Sequence, residues 1–172
     1  MKRQNVLIVD GYNIIGAWEE LQQMKENRLA DARDRLIEQM AEYKAYTGWR
    51  VIVVFDAYLM YGLEKKKRRY NVEVLFTREN ETADERIERL VAELSGRRIQ
   101  IHVATSDLTE QWIVFAQGAL RKSARELEIE MIKIYELISK KMRDYEEQRP
   151  FSKIPLTDEV KEVFEKWRRG IK

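Results

Sequence analysis

The chain has 172 residues, 44% of them hydrophobic and 36% charged, with a formal net charge of +2; this balance describes one globular domain with a heavily charged exterior and excludes a disordered chain. It holds no cysteine and one histidine, which excludes disulfides, thiolate metal sites and a zinc cage, so any metal must be held by oxygen. No stretch reaches the length of a membrane span, and the apolar run Val6–Val9 is cut at once by Asp10 and does not read as a signal peptide, so the protein is expected in the cytoplasm with no membrane partner.

Val6-Leu7-Ile8-Val9 has no polar alternation, the mark of a strand buried on both faces of a parallel sheet. It runs into Asp10-Gly11-Tyr12-Asn13 and then an irregular helical stretch to about Met24. A clearer helix is predicted from Leu29 to Thr47, with Leu29, Leu36, Ile37, Met40 and Tyr43 mostly at three- and four-residue spacing and Gly48 as its C-terminal cap. A second apolar strand, Trp49–Phe55, ends in Asp56. Residues 57–70 show no amphipathic period and read as a loop. Val72, Val74 and Phe76 form a third strand ending in Thr77. Thr82 and Glu85 have capping-box spacing before a helix with the stripe Ile87, Leu90, Val91 and Leu94, closed by Gly96.

Ile99, Ile101 and Val103 mark a fourth strand, which delivers Ala104-Thr105-Ser106-Asp107. The short helix after it is predicted to bury Trp112, Ile113, Phe115 and Ala116. Ala119–Lys122 is a brief fifth strand, and Ser123 with Glu126 opens a long helix to about Tyr145. Pro150 and Pro155 flank a linker before a last helix with Val160, Val163, Phe164 and Trp167 on one side. Residues 1–148 are thus expected as one domain, and 149–172 as a linker and an amphipathic helix that packs on that domain or on a partner. Strand-helix alternation predicts a three-layer α/β/α sandwich on a mainly parallel sheet of four to five strands.

Three of the first four strands run into an aspartate: Asp10, Asp56 and Asp107. Asp84 lies in the first helical turn after the third strand and should reach the same edge of the sheet, with Glu81 close by. Packed carboxylates repel one another unless a cation lies among them, and Mg2+ or Mn2+ suits an all-oxygen site that keeps waters for phosphate. That chemistry is metal-dependent phosphodiester hydrolysis. Each acid taken alone is also an ordinary helix N-cap. Asn13 either caps its helix or orients Asp10, two compatible roles, and Thr105 and Ser106 either cap or help position a metal water or phosphate.

Lys65, Lys66, Lys67, Arg68 and Arg69, near Tyr58, Tyr61 and Tyr70, read equally as a solvated surface or as an RNA clamp joining charge to base stacking. Arg121, Lys122 and Arg125 surround a helix N-terminus and are candidate phosphate contacts. His102, between Ile101 and Val103, is expected to be structural.

Five separated segments carry a resemblance: Asp10-Gly11-Tyr12-Asn13; Phe55-Asp56-Ala57; Thr77 followed by Glu81-Thr82-Ala83-Asp84; Ala104-Thr105-Ser106-Asp107; and Gly118-Ala119-Leu120-Arg121 with Ser123-Ala124-Arg125-Glu126-Leu127. In this order they resemble the YacP-like branch of the NYN domains, in the PIN-like nuclease superfamily, over residues 4 to 145. The resemblance implies a PIN-like sandwich and a divalent-metal-dependent endoribonuclease acting on single-stranded RNA. It implies that Asp10, Asp84 and Asp107 are the catalytic metal-site acids, with Asn13 and Asp56 supporting. Because that branch includes a ribosome-associated messenger RNA endonuclease, it also implies the ribosome as a partner. The alternative is a noncatalytic RNA- or ribosome-binding module of the same fold. A phosphoacceptor receiver-like domain fits less well, because the third strand ends in Thr77 rather than an acid.

Overall fold

Five parallel strands, β1 (Gln4–Asp10), β2 (Arg50–Phe55), β3 (Glu73–Phe76), β4 (Ile99–Thr105) and β5 (Leu120–Ser123), form a sheet in the order β3-β2-β1-β4-β5. The structure, a computed structural model, describes residues 3–57 and 71–148. The basic run Lys65 to Arg69 and the expected C-terminal helix lie outside the described residues. Six helices are described: α1 (Gly11–Ala17), α2 (Glu19–Asn27), α3 (Leu29–Thr47), α4 (Ala83–Leu94), α5 (Leu108–Ala116) and α6 (Ala124–Gln148). The chain divides into two compact units, Met1–Tyr135 and Glu136–Lys172. The first holds the entire sheet, in the three-layer α/β/α arrangement expected from the sequence.

The strand order follows from the apolar pattern. Alternation sends Val6 and Ile8 of β1 to one face of the sheet and Leu7 and Val9 to the other, and all four are buried. The first face packs with Ile52, Val54, Ile101 and Val103 against Ile87, Leu90 and Val91 of α4 and Val114 of α5. On the other layer α1 and α3 contact β2 and each other. Burying one such aliphatic side chain stabilises the fold by about 1.5–3 kcal/mol, and the central strand buries residues on both sides. β1 is therefore the least replaceable strand. The chain leaves it towards β2 and β3, then returns to its other side with β4 and β5, so the carboxyl ends of β1 and β4 flank a topological switch point. Open parallel sheets bind ligands at that place.

The irregular stretch after β1 resolves into two helices that break at Trp18, where the backbone is extended. The Trp18 indole N–H donates to the Ala124 carbonyl at 2.9 Å, which anchors the break to the start of α6. Gly48 ends α3 with φ of 71°, a left-handed conformation that suits glycine. Both expected capping boxes form: Glu85 N donates to Thr82 Oγ1 and Thr82 N to Glu85 Oε2, and Glu126 N donates to Ser123 Oγ while Ser123 N donates to Glu126 Oε2. His102 stacks on Trp49 with ring centroids 4.5 Å apart, and burial with nearby Lys122 pushes its pKa down, in keeping with a structural role.

One helix reverses its expected orientation. In α5 the buried residues are Glu110, Gln111 and Val114, while Trp112, Ile113 and Phe115 are exposed. The Gln111 side-chain amide donates to the Thr105 carbonyl at 2.9 Å in a buried setting. A helix whose first turn must serve the end of β4 turns its polar side inward, and its apolar side is left facing out.

Gly11 opens α1 against the Phe55 ring, and a Cβ there would overlap Cε1 and Cδ1 of that ring. Gly11→Ala should therefore cost about 1–3 kcal/mol by overpacking and lower the thermal midpoint by several degrees. Adding Phe55→Leu should recover part of the loss, and an unchanged midpoint for Gly11→Ala would contradict the packing described.

Candidate metal centre

Asp10 ends β1 and serves as the N-cap of α1, its Oδ1 accepting from the Asn13 backbone N–H at 3.3 Å. The capping reading of Asp10 is therefore correct, yet a carboxylate has two oxygens and capping engages one. Asp84 comes from the first turn of α4, set by the Thr82–Glu85 capping box. Glu110 comes from the first turn of α5. Asp10, Asp84 and Glu110 each bring a carboxylate oxygen within 4.8 Å of the others. Two of the three are almost fully enclosed, Asp10 at 6% and Glu110 at 1% exposure.

Electrostatics at this cluster are unfavourable in the absence of a cation. Burial, opposed in part by the Asn13 bond and reinforced by repulsion from Asp84, raises the Asp10 pKa to about 6. Burial together with the charges of Asp10 and Asp84 raises that of Glu110 to about 8. Asp84 is shifted upward too, by burial and then by Asp107. Neither oxygen of Glu110 meets a donor at full hydrogen-bond geometry, and the Thr105 hydroxyl offsets only part of its burial. Among the described residues no lysine or arginine pairs with any of the three. Buried carboxylates are normally protonated, paired or bound to metal. An all-oxygen set of three carboxylates, in which Glu110 bonds, among the described residues, only to Asp10, Asp84 and the Thr105 hydroxyl, suits a hard divalent cation.

The residues expected from the sequence fall into three groups. Asp10, Tyr12, Asn13, Asp56 and Asp84 line one open pocket of about 370 Å³. Asn13 ties this pocket to the turn after β4, since its Oδ1 accepts from both the backbone N–H, at 2.6 Å, and the hydroxyl of Ser106. Thr105 Oγ1 accepts from Asp107 N at 3.1 Å, and Thr77 Oγ1 accepts from Ala57 N at 2.9 Å beside Asp56. Asp107 sits at the rim. Its Oδ1 accepts from Thr109 N at 2.7 Å and Glu110 N at 3.4 Å as the N-cap of α5, while its charge reaches Asp10, Asp84 and Glu110.

Two expected members lie elsewhere. Glu81 pairs with Arg89 and accepts from Arg78 N, on the separate surface between β3 and α4; the turn at residues 78–81 draws it from the acids. Lys122 is buried, pairs with Glu130 and lies over the Trp49 ring, so it is not available as a phosphate contact. Arg121 and Arg125 remain exposed. Glu110 was not among the expected residues. The available signal was its position three residues after Asp107, but that spacing also reads as a capping box.

A parallel three-layer α/β/α fold with an acid cluster at the switch point is an arrangement that nuclease-like α/β proteins share. The chain belongs to the YacP-like NYN domain family, whose model matches residues 7–169. It is 58% identical over 166 residues to the protein YacP of Bacillus subtilis (strain 168), covering 96% of this chain and 98% of that one. It is also similar to the crystal structure of Rae1 (YacP) from Bacillus subtilis, with 59% identity and a TM-score of 0.76 over 96% of this chain and 95% of that one. For a tryptophan-to-leucine mutant of the same Bacillus subtilis protein the identity is 53% and the TM-score 0.75, over 97% and 96%.

Raised acid pKa values make stability depend on pH. Unfolded carboxyls titrate near 4, whereas Asp10 and Glu110 titrate at about 6 and about 8 in the folded state. Between those limits the folded state binds more protons, so the metal-free protein should lose stability as pH rises from about 5 to 8, on the order of 5 kcal/mol. Thermal unfolding in chelator should show this slope, and Glu110→Gln should flatten it and raise the midpoint at pH 8. Mn2+ should stabilise the wild type far more at pH 8 than at pH 5 and do little for Glu110→Gln. Equal slopes for the two proteins would contradict the coupling.

Proposed function

We propose that the protein is a divalent-metal-dependent endoribonuclease that hydrolyses phosphodiester bonds in single-stranded RNA, in the cytoplasm, with messenger RNA on or near the ribosome as substrate. The observation that carries the reading is the convergence of Asp10, Asp84 and the buried Glu110 within 4.8 Å of one another. Membership of a nuclease-like family supports the phosphodiester chemistry. The RNA and ribosome assignments extend the motif resemblance described above.

Asp10, Asp84 and Glu110 would hold Mg2+ or Mn2+, which supplies a water of lowered pKa and positive charge against the scissile phosphate. Asp10 and Glu110 close the site from the buried side and must lose their protons to do so. Asp84, the more open of the three, faces the pocket where a phosphodiester would enter. Asp107 and Asp56 flank the three acids, and Asn13 with Ser106 holds the β1 and β4 turns at a fixed separation. Hydrolysis in this arrangement leaves 5′-phosphate and 3′-hydroxyl ends. Arg121 and Arg125 are the described cations placed to meet the RNA backbone, with the run Lys65 to Arg69 as a further candidate.

Labelled RNA, free and in translating ribosome complexes, should be cut with Mn2+ and spared with chelator. Asp84→Asn and Glu110→Gln should each lose more than about 100-fold in rate, beyond the 10–100-fold typical of outer-shell partners. Asp107→Asn keeps an N-cap oxygen and should fall within that lower range. Full cleavage by folded, rigorously purified Glu110→Gln and Asp84→Asn would overturn the proposal. Cleavage confined to the ribosome sample would make the ribosome part of the active enzyme.

A further inference from the structure

Helix α5 presents two unlike faces. Glu110 and Gln111 point inward to the acid cluster and the end of β4. Leu108, Trp112 and Phe115 lie at i, i+4 and i+7, on one side of the helix, with exposures of 67%, 59% and 51%. Exposed apolar surface of this kind marks a place of contact when it is contiguous. Trp112 and Phe115 meet edge to face with ring centroids 6.3 Å apart. The Arg121 guanidinium, from the edge strand β5, lies 5.0 Å from the Trp112 ring centroid.

The stripe also starts at a groove that is joined to the acid pocket through the Ser106–Asn13 hydrogen bond. Ser106, bonded to Asn13 at the acid site, lines a groove of about 330 Å³ together with Leu108, Ser123 and Arg125. Leu108 begins the exposed stripe, and Trp112 follows one helical turn later. From Glu110 inside to Trp112 outside is roughly one helix diameter, about 10 Å. Aromatic faces with an adjacent guanidinium are the chemistry that takes stacked bases and their phosphates without sequence preference. An interface built on apolar burial alone has no need of a cation over its central ring.

From this juxtaposition we infer that the outer face of α5, with Trp112 and Phe115 flanked by Arg121, is a base-stacking platform that holds single-stranded RNA next to the acid pocket. The inference rests on the reading of the chain as an RNA-cleaving protein and adds a specific subsite to it. Leu108 and Arg125 form the path between platform and pocket. The rings hold bases, while the two arginines meet backbone phosphates.

The test is fluorescence anisotropy with a short fluorescein-labelled oligoadenylate, on the full chain in an Asp84→Asn background so that the probe is not cut. Trp112→Leu keeps apolar bulk but removes the π face, and it should weaken binding roughly ten-fold or more. Trp112→Phe should lose much less. The Trp112→Leu deficit should vanish with an abasic probe of the same length, and the thermal midpoint should be unchanged. Arg121→Gln should weaken both probes and make the salt dependence shallower. Unchanged oligoadenylate affinity for Trp112→Leu, with the parent binding well, would overturn the platform and leave the nuclease reading standing. The same is true if Trp112→Leu alters only self-association or protein binding. Absence of oligoadenylate binding by the parent would also overturn the platform, while the nuclease reading stands or falls on the cleavage assay.

Discussion

Like charges held close together, in a place where water does little to separate them, are the constraint on which the structure turns. Asp10, Asp84 and Glu110 meet within 4.8 Å, and two full charges at that range repel by roughly 3–4 kcal/mol at an effective dielectric near 20. No isolated loop would hold them so. Each acid instead sits on a rigid element: the end of the central strand, the first turn of α4, whose apolar residues are fixed in the core, and the first turn of α5, anchored there by Val114. Packing energy from the sheet is what keeps the repulsion in place. The cluster therefore has an unmet requirement for positive charge, and its raised pKa values express that requirement as protons.

The surrounding polar groups make sense as a frame for this arrangement. Asn13 joins α1 to the turn after β4 through Ser106, and Gln111 joins α5 to the last carbonyl of β4. Gly11 lets α1 approach the Phe55 ring, and Phe55 in turn stacks on Phe76 at 5.8 Å. These contacts fix the separation of the strand ends on either side of the switch point. A different polar network, Lys122–Glu130–Tyr43, ties β5, α6 and α3 together. It consumes a lysine that the sequence had offered to RNA.

The inverted helix α5 links chemistry to recognition. An amphipathic helix ordinarily buries its apolar side because that is where its stabilisation comes from. Here the inward positions serve the acid site and the end of β4, and Val114 is the buried apolar anchor. The stability forgone on Leu108, Trp112 and Phe115 leaves those side chains free for a ligand. Local rules fail most readily at functional sites, and α5 is where they fail in this chain.

Local and periodic signals were enough to reveal the parallel sheet, the two capping boxes, the C-terminal glycine of α3 and the convergence of Asp10, Asp56, Asp84 and Asp107 on one edge. Unbroken apolar runs, capping spacings and strand-end acids are each read within a few residues, and the parallel fold then carries them to one end. Only the tertiary structure decided the orientation of α5. Placing Trp112 and Phe115 inside by their apolarity turns Glu110 outward, which hides it as a candidate ligand. The fates of Glu81 and Lys122 were likewise decided by partners remote from the motif, Arg89 and Glu130. Periodicity states that a helix has two faces. Which face is buried depends on what the rest of the fold requires at that position, and here an acid cluster and a β4 carbonyl outweighed three large apolar side chains.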